Sequence, residues 1–566
     1  MRCKGLVAVL VVASAWAACG DSGPGIAGPS DAVVDAPVDG VAPDAFDDVQ
    51  DDPDLPPADI PGNPDATGDT ADLPAGPDAT DVPRPDASGG LAILDLKVES
   101  ASIGLAVNVT FRTSVPALGS ALAVTDGQPV RVRTGSSQPV TEHRVLLTGL
   151  HPDRTYRIRG RAVADTQEAE SEVAWEWVSG PLPEDFPVID FELLVPGHAM
   201  PGYTLFSLSR VGLDGTGVPT PDFLPTLVAV DPEGEVSWYL RMLESGTQQG
   251  FSMLPDGNVG VVGDFGLAEF TLEGEKVREV GTAALDVPTL HHDVVRLPGG
   301  NFVSLTLELQ PQPDSGTPPL AFLVDVLIEF TPDGRVVRRH AMDQFLPFDP
   351  ANTPTNNVNQ WNYLFPGYRT VDVYHANSLN YDATSDLLIV GLLQWGQILV
   401  LDGTTWDVLG VLGEGGTVEL AKGDWFRSTH GPQVLPNGNI VVYDNGGHLQ
   451  GGFEPSRAME YRLEPVEPNP NAKRVWTMAA TEVWSYQNDF FSPFMGNVQR
   501  LDDGSTLICD GLRLVPGDGG MATEPYIQRI GTSPSKPISR LTIRRRADDT
   551  LPSQWIVYRA YRIQNL

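Results

Sequence analysis

Short runs of alternating apolar and polar residues, cut by Gly, Pro, Asp and Asn, fill the chain from about residue 91 to its end. A period of two marks strands with one buried face, and turn residues between such runs mark hairpins. From 91 to about 180 the pattern predicts an all-β sandwich. Beyond that a turn recurs: "DPEGEVSWYL" from 231, "LPDGNVGVVG" from 254, "LPGGNFVSLT" from 297, "TPDGRVVRRH" from 331, "LPNGNIVVYD" from 435 and "LDDGSTLICD" from 501. Gly in these turns supplies the positive φ that tight hairpins need. Intervals of about 35–65 residues without helical periodicity match one four-stranded sheet per repeat, closed radially into a β-propeller. The remaining length suits six blades with long insertions at 308–320 and 343–369.

The N-terminal ninety residues follow other rules. "MRCKGLVAVLVVASAWAAC" places Arg2 and Lys4 before an apolar run, Leu6 to Ala18, too short to span a bilayer and ending in small residues. Residues 1–19 therefore read as an export signal. "WAAC" resembles the lipobox of bacterial lipoproteins, with Trp16 where that box prefers Leu. The resemblance implies lipidation of Cys19 and a membrane partner through that anchor, while "AWA" at 15–17 would suit ordinary signal cleavage. Residues 21–90 hold 17 Asp, 13 Pro and a single Arg. Such a segment buries too little apolar surface to offset its ordering entropy, so 20–90 is expected to be a disordered tether. As a neutral coil it would span about 45 Å, and its charge extends it further.

The tether carries a net −16 of the −37 total, and no basic cluster points to nucleic acid. The "RRR" at 544–546 is followed by Asp548 and Asp549. With Cys3 in the signal and Cys19 at the lipobox, Cys509 stands alone, so no intrachain disulfide is available.

Three segments carry candidate chemistry: "LHHDVVRLPGGN" (290–301), "DVYHANSLNYD" (372–382) and "STHGPQVLPNGN" (428–439). They hold four of the nine histidines. On a strand His375 and Asn377 would share one side, and His291 would face away from His292. Innermost propeller strands converge on the axis, so His292, His375 and His430 would meet there from three blades. His143, His151, His198, His340 and His448 read as solvated or loop residues.

"HRVLLTGLHPDRTYRIRGRAVA" (143–164) resembles the end of a fibronectin type III domain, which makes 91–181 a spacer or adhesive module. Within the propeller domain, 182–566, residues from about 200 to 566 resemble the bacterial aryl sulfotransferase family, through "HHDVVRLPGGN", "HANSLNYD", "STHGPQVLPNGNIVVYDNGG", "EPSRAMEYRLE" and the closing "VYRAYRI". That resemblance implies an exported six-bladed propeller moving a sulfuryl group from a phenolic sulfate to a phenol. It needs no adenylyl-sulfate cofactor and no metal, and its partners are small aryl sulfates and phenols. By the same resemblance His430 matches a nucleophile that is transiently sulfurylated. His375 and Asn377 match an oxyanion-binding pair, and His292, beside Asp293, matches a His that assists the leaving phenolate. Asp444, Asn445, Ser456 and Arg457 match family motifs taken as structural.

One position departs from the family. Leu393 stands in "DLLIVGLLQWGQILVLD" where the family carries an Arg at the sulfuryl site. Loss of one fixed donor where charge develops costs about 10²–10³ in rate. Arg427 is the candidate to compensate, and Trp395 is a candidate wall for an aromatic acceptor. The competing readings are an inactive propeller lipoprotein binding an aromatic or anionic ligand, and a metal-dependent hydrolase enlisting Asp293, Asn377 and Asp444.

Overall fold

The computed structural model describes residues 90–126, 131–212, 224–242, 248–313, 315–353, 361–449, 452–465, 478–517, 520–532, 535–549 and 553–566. The segments expected to be an export signal and an acidic tether, with Cys19 between them, lie outside these residues.

Residues 91–181 form seven strands in which Val107–Val124 serves two sheets. Its first half pairs with Ile93–Ser100 and Val140–Leu147, its second with Arg131–Thr134 and Thr155–Ala164. Alternation is kept: Val107, Val109, Phe111, Ala117, Ala121 and Ala123 face inward, joined by Val145, Tyr156 and Ile158. The hydroxyl of Tyr156 accepts the backbone N–H of His151 (2.8 Å), five residues upstream, as in the tyrosine corner of β-sandwiches. Two histidines expected at the surface are buried instead. His143 stacks on Phe111 at 4.6 Å, and His151 pairs with Asp231 at 2.6 Å. Their neighbours lie far off in the chain, so local polarity misjudged both.

Six sheets of four or five strands follow, arranged as a propeller. Their innermost strands are Gln248–Met253, His291–Arg296, Ala376–Asp382, Thr429–Val434, Asn497–Arg500 and Ala560–Ile563, each packed beside the next. The last belongs to blade 1, where it pairs with Tyr203–Gly212. In return Val188–Leu193 joins the outer edge of blade 6 beside Pro537–Arg544. The ring is thus closed by both ends of the propeller chain, one supplying the inner strand of blade 1 and the other the outer strand of blade 6.

The turn motif gives the right number of blades by a different bookkeeping. "LPDGN", "LPGGN", "LPNGN" and "LDDGS" join first to second strands in blades 2, 3, 5 and 6, whereas "DPEGE" and "TPDGR" join third or outer strands in blades 1 and 3. Blade 4 turns through "DATSD". Many blade strands are buried along their whole length, because each sheet is covered on both faces; Leu320–Phe330 is an example. Residues 308–311 of the first insertion extend a blade 3 hairpin, pairing with 321–324. The 343–369 insertion ends in a strand, Arg369–Asp372, that runs parallel to Leu320–Phe330.

The sandwich docks on blade 1. Gly104 donates to the carbonyl of Tyr239 (2.9 Å), Ile103 joins the cluster around Leu205 and Trp238, and Arg154 pairs with Glu235. Buried Asp231, in the first turn motif, takes both His151 and Arg131 (3.1 Å).

Candidate active site

Each innermost strand carrying a candidate begins with a β-bulge. Register shifts fall between His291 and Val294, between Ala376 and Ser378, and between His430 and Gln433. A bulge adds one residue opposite a single partner and re-aims the side chains around it. Here it carries backbone strain: His292 (φ 61°) and His375 (φ 50°) adopt the left-handed conformation, as does Gly431 (φ 51°) after His430. Gly250 permits the first of these, since a Cβ there would lie 2.0 Å from the carbonyl oxygen of His292.

His292 and His375 meet, and His430 stands on the next blade, tied to theirs through Asn377 and Thr429. The rings of His292 and His375 lie 5.0 Å apart, and burial together with the charge of His375 and Arg559 holds the His430 pKa down to about 3. His292 is pushed well below the ordinary imidazole value, by burial first and then by His291, His375, His430 and Arg559. His291 does not face away as strand alternation predicts. The bulge turns it so that its Nδ1 sits 2.7 Å from Nδ1 of His292, and its Nε2 lies 3.5 Å from Asp325. Trp361, from the 343–369 insertion, packs on both rings.

His430 and His375 have different partners. Nδ1 of His430 lies 2.5 Å from Oδ1 of Asn445. An amide oxygen only accepts, so Nδ1 carries the proton and Nε2 keeps its lone pair. Asn445 is fixed in turn, its Nδ2 donating to the carbonyls of Ser492 (2.8 Å) and Met495 (3.0 Å). Ser456 donates to the Asn445 carbonyl, and Asp444 pairs with Arg457 (2.9 Å) while accepting the N–H groups of Arg427, Ser428 and Gly446. Nδ1 of His375, by contrast, lies 2.5 Å from the carboxylate of Asp372. Burial would lower the His375 pKa, but the charge and hydrogen bond of Asp372, with Asp325 behind, raise it.

Asn377 spends one N–H on the carbonyl of Thr429 (2.8 Å) and accepts from Ser378 on its side-chain oxygen. Its own carbonyl takes Tyr558 (3.0 Å) and Arg559 (3.1 Å), so it clamps blade 4 to blade 5 and to the closing strand. Arg559 also pairs with Asp293 (2.6 Å), which accepts the N–H of Leu379 (2.7 Å) and the hydroxyl of Ser252. An axial cavity of about 100 Å³, lined by Asp293, Asn380, Gln433, Asn497, Arg559 and others, adjoins this clasp; none of the three histidines lines it.

Two sequence candidates lie elsewhere. Arg427 is half exposed and pairs with Glu414 (3.2 Å) and Glu454 (3.6 Å). Trp395 stacks on Tyr374 at 4.9 Å and donates to the carbonyl of Val373, which makes it core packing. Leu393 does sit at the site's edge, its N–H donating to the carbonyl of His375 (3.1 Å). Cys509 is a buried free thiol. Asp293 and Asp444 are consumed by arginines, and among the described residues no group of three His, Cys, Asp or Glu side chains is placed to hold a metal. Sequence reasoning missed Asp372, Asp325, Tyr558 and Arg559, and took Asn445 as structural. Tyr558 and Arg559 lay within the closing motif "VYRAYRI", the one signal that could have found them.

No match was found among curated proteins. Among solved structures, a protein of unknown function from Bacteroides caccae is 11% identical, with 64% of this chain and 98% of that one covered and a TM-score of 0.36. A luciferin-regenerating enzyme is 12% identical over 64% and 98% of the two chains (TM-score 0.29). A virginiamycin B lyase from Staphylococcus aureus is 9% identical over 63% and 100% (TM-score 0.28). The profile described as Arylsulfotransferase (ASST) matches residues 218–559, from the first blade to Arg559 itself, and the chain belongs to that family.

Proposed function

We propose that the protein is an exported aryl sulfotransferase working through a sulfo-His430 intermediate. Family membership carries aryl sulfotransfer in general, with aryl sulfates and phenols as small-molecule substrates. The observation that supports the finer reading is the His430–Asn445 contact, which leaves a neutral imidazole with a free Nε2 lone pair. That nitrogen attacks sulfur, the N–S bond forms, and the S–O(aryl) bond breaks with its electron pair leaving on the phenolate oxygen. An acceptor phenol then attacks the same sulfur, the N–S electron pair returns to Nε2, and the phenolic proton passes to a base. In this reading His292, held neutral, receives that proton and His375 faces the sulfuryl oxygens.

The signal-like N-terminus and the acidic tether support a site held away from a membrane surface by a lipid on Cys19. Among the described residues no helix is long and apolar enough to cross a membrane. The test uses a chromogenic aryl sulfate with and without a phenol. Acceptor-dependent phenol release that disappears in His430→Ala supports the mechanism; undiminished turnover in that variant sinks the covalent intermediate. The inactive-lipoprotein reading rests on Leu393, and the next observation bears on it.

A further inference from the structure

By the family resemblance Leu393 stands where a fixed cation would face the sulfuryl group, and both nearby arginines are engaged elsewhere. Arg427 is half exposed and engaged by Glu414 and Glu454. Arg559 is engaged by Asp293 and by the carbonyl of Asn377. We propose that Asp372 is a positioning residue that holds His375 as an imidazolium, and that this cation supplies the charge Leu393 cannot. The inference rests on the sulfotransfer reading above for its purpose, though the charge state can be read without turnover.

Asp372 grips His375 twice. One carboxylate oxygen accepts the backbone N–H of His375 (3.1 Å) and the other meets Nδ1 (2.5 Å). The first contact helps hold the left-handed backbone at φ 50°, and the second commits Nδ1, so the charge is presented at Nε2. His375 is also the most open of the three, its side chain 16% exposed where His292 and His430 are 6% and 3% exposed as residues. The grip comes from outside the blade: Asp372 ends the strand that the 343–369 insertion lays along Leu320–Phe330.

The charged and titratable groups around His375 fit one cation and one anion. Asp325 is pushed well above the ordinary carboxylate range, by burial first and then by the charge of Asp372, so Asp372, in direct contact with Nδ1, is the principal counter-ion. His291, His292 and His430 are all held neutral by burial, with the charge of His375 adding to the effect. Arg559 is balanced by Asp293. A single imidazolium among three neutral imidazoles is what a site needs if one histidine attacks and another receives developing negative charge.

The test is a ¹⁵N histidine titration of the full chain by NMR, beside the pH profile of kcat/KM for wild type and Asp372→Asn. His375 should titrate above the ordinary imidazole value in wild type, and Asp372→Asn should lower that titration by about 1–3 pH units. The alkaline limb of kcat/KM should move down with it, with about a 10²-fold loss on that limb. Leu393→Arg in the Asp372→Asn background should recover activity and flatten the limb, because a guanidinium does not titrate there. A neutral His375 at pH 7 in wild type, or a limb unmoved in folded Asp372→Asn, overturns the proposal. If no aryl sulfate turns over, the function reading fails while the titration still decides the charge state. The wild-type titration also decides it if Asp372→Asn does not fold.

Discussion

His430 and His375 belong to neighbouring blades, each with Nδ1 in a 2.5 Å contact to a side-chain oxygen. At His430 the oxygen belongs to an amide, at His375 to a carboxylate. That one-atom difference between Asn445 and Asp372 sends the two imidazoles in opposite directions. Both are buried, and burial disfavours the charged ring in both. Only a formal negative charge within hydrogen-bonding distance outweighs it. A fold can therefore make a nucleophile and a cation from one residue type chiefly by choosing the partner of Nδ1.

The sharpest way to break the contrast is to remove the nucleophile. His430→Ala should lower kcat by about 10⁴-fold or more in an aryl sulfate assay, as loss of a covalent nucleophile does elsewhere. Exchanging the partner tests the contrast itself. Asn445→Asp places a carboxylate on His430, which should make it cationic and cost about 10²-fold in kcat/KM at pH 7. Its acid limb should move to higher pH, and a variant with an unmoved limb would show that Asn445 only packs. Leu393→Arg in the wild-type background should gain less than about tenfold near pH 7, where His375 already supplies charge, and more at alkaline pH.

Stability reports the same asymmetry. His430 has a folded pKa near 3, below its unfolded value near 6.5, so the unfolded chain binds protons first as pH falls. Acidification from pH 6.5 to 5 should thus cost about 2 kcal/mol from His430 alone, with His291 and His292 adding in the same sense. His375 has the opposite sign. Its folded pKa is raised, so its contribution is complete below the unfolded pKa and is lost as pH rises through the folded one. Denaturant titration of wild type, His430→Ala and Asp372→Asn at pH 5, 6.5 and 8 separates the two slopes. Asp372→Asn should remove the alkaline slope and leave the acid one.

Much of the candidate site was legible because its residues fall in three quoted segments, each opening an innermost strand. His292, His375 and His430 converge as those segments predict, since every blade delivers the start of its first strand to the axis. The alternation rule applied inside those segments failed, because bulges and left-handed residues break the period of two where the strands begin. That is why His291 joins His292 and why Asn377 turns its amide to Thr429. Arg427, three residues from His430, illustrates the same limit: nearness in sequence says nothing of direction once a turn intervenes.

What the sequence determined by itself is the architecture: period-two runs and Gly-bearing turns specify sheets, their density specifies a propeller, and the motif-bearing strands specify which blades carry chemistry. These properties are local, written in neighbours along the chain. What the tertiary structure alone decided is the charge of each imidazole. Asn445 reaches His430 from the adjacent strand, fifteen residues on. Asp372 lies only three residues from His375, yet its grip depends on an inserted strand seated against blade 3. Ionisation depends on desolvation and on the nearest opposite charge in space, and both exist only once the blades have closed.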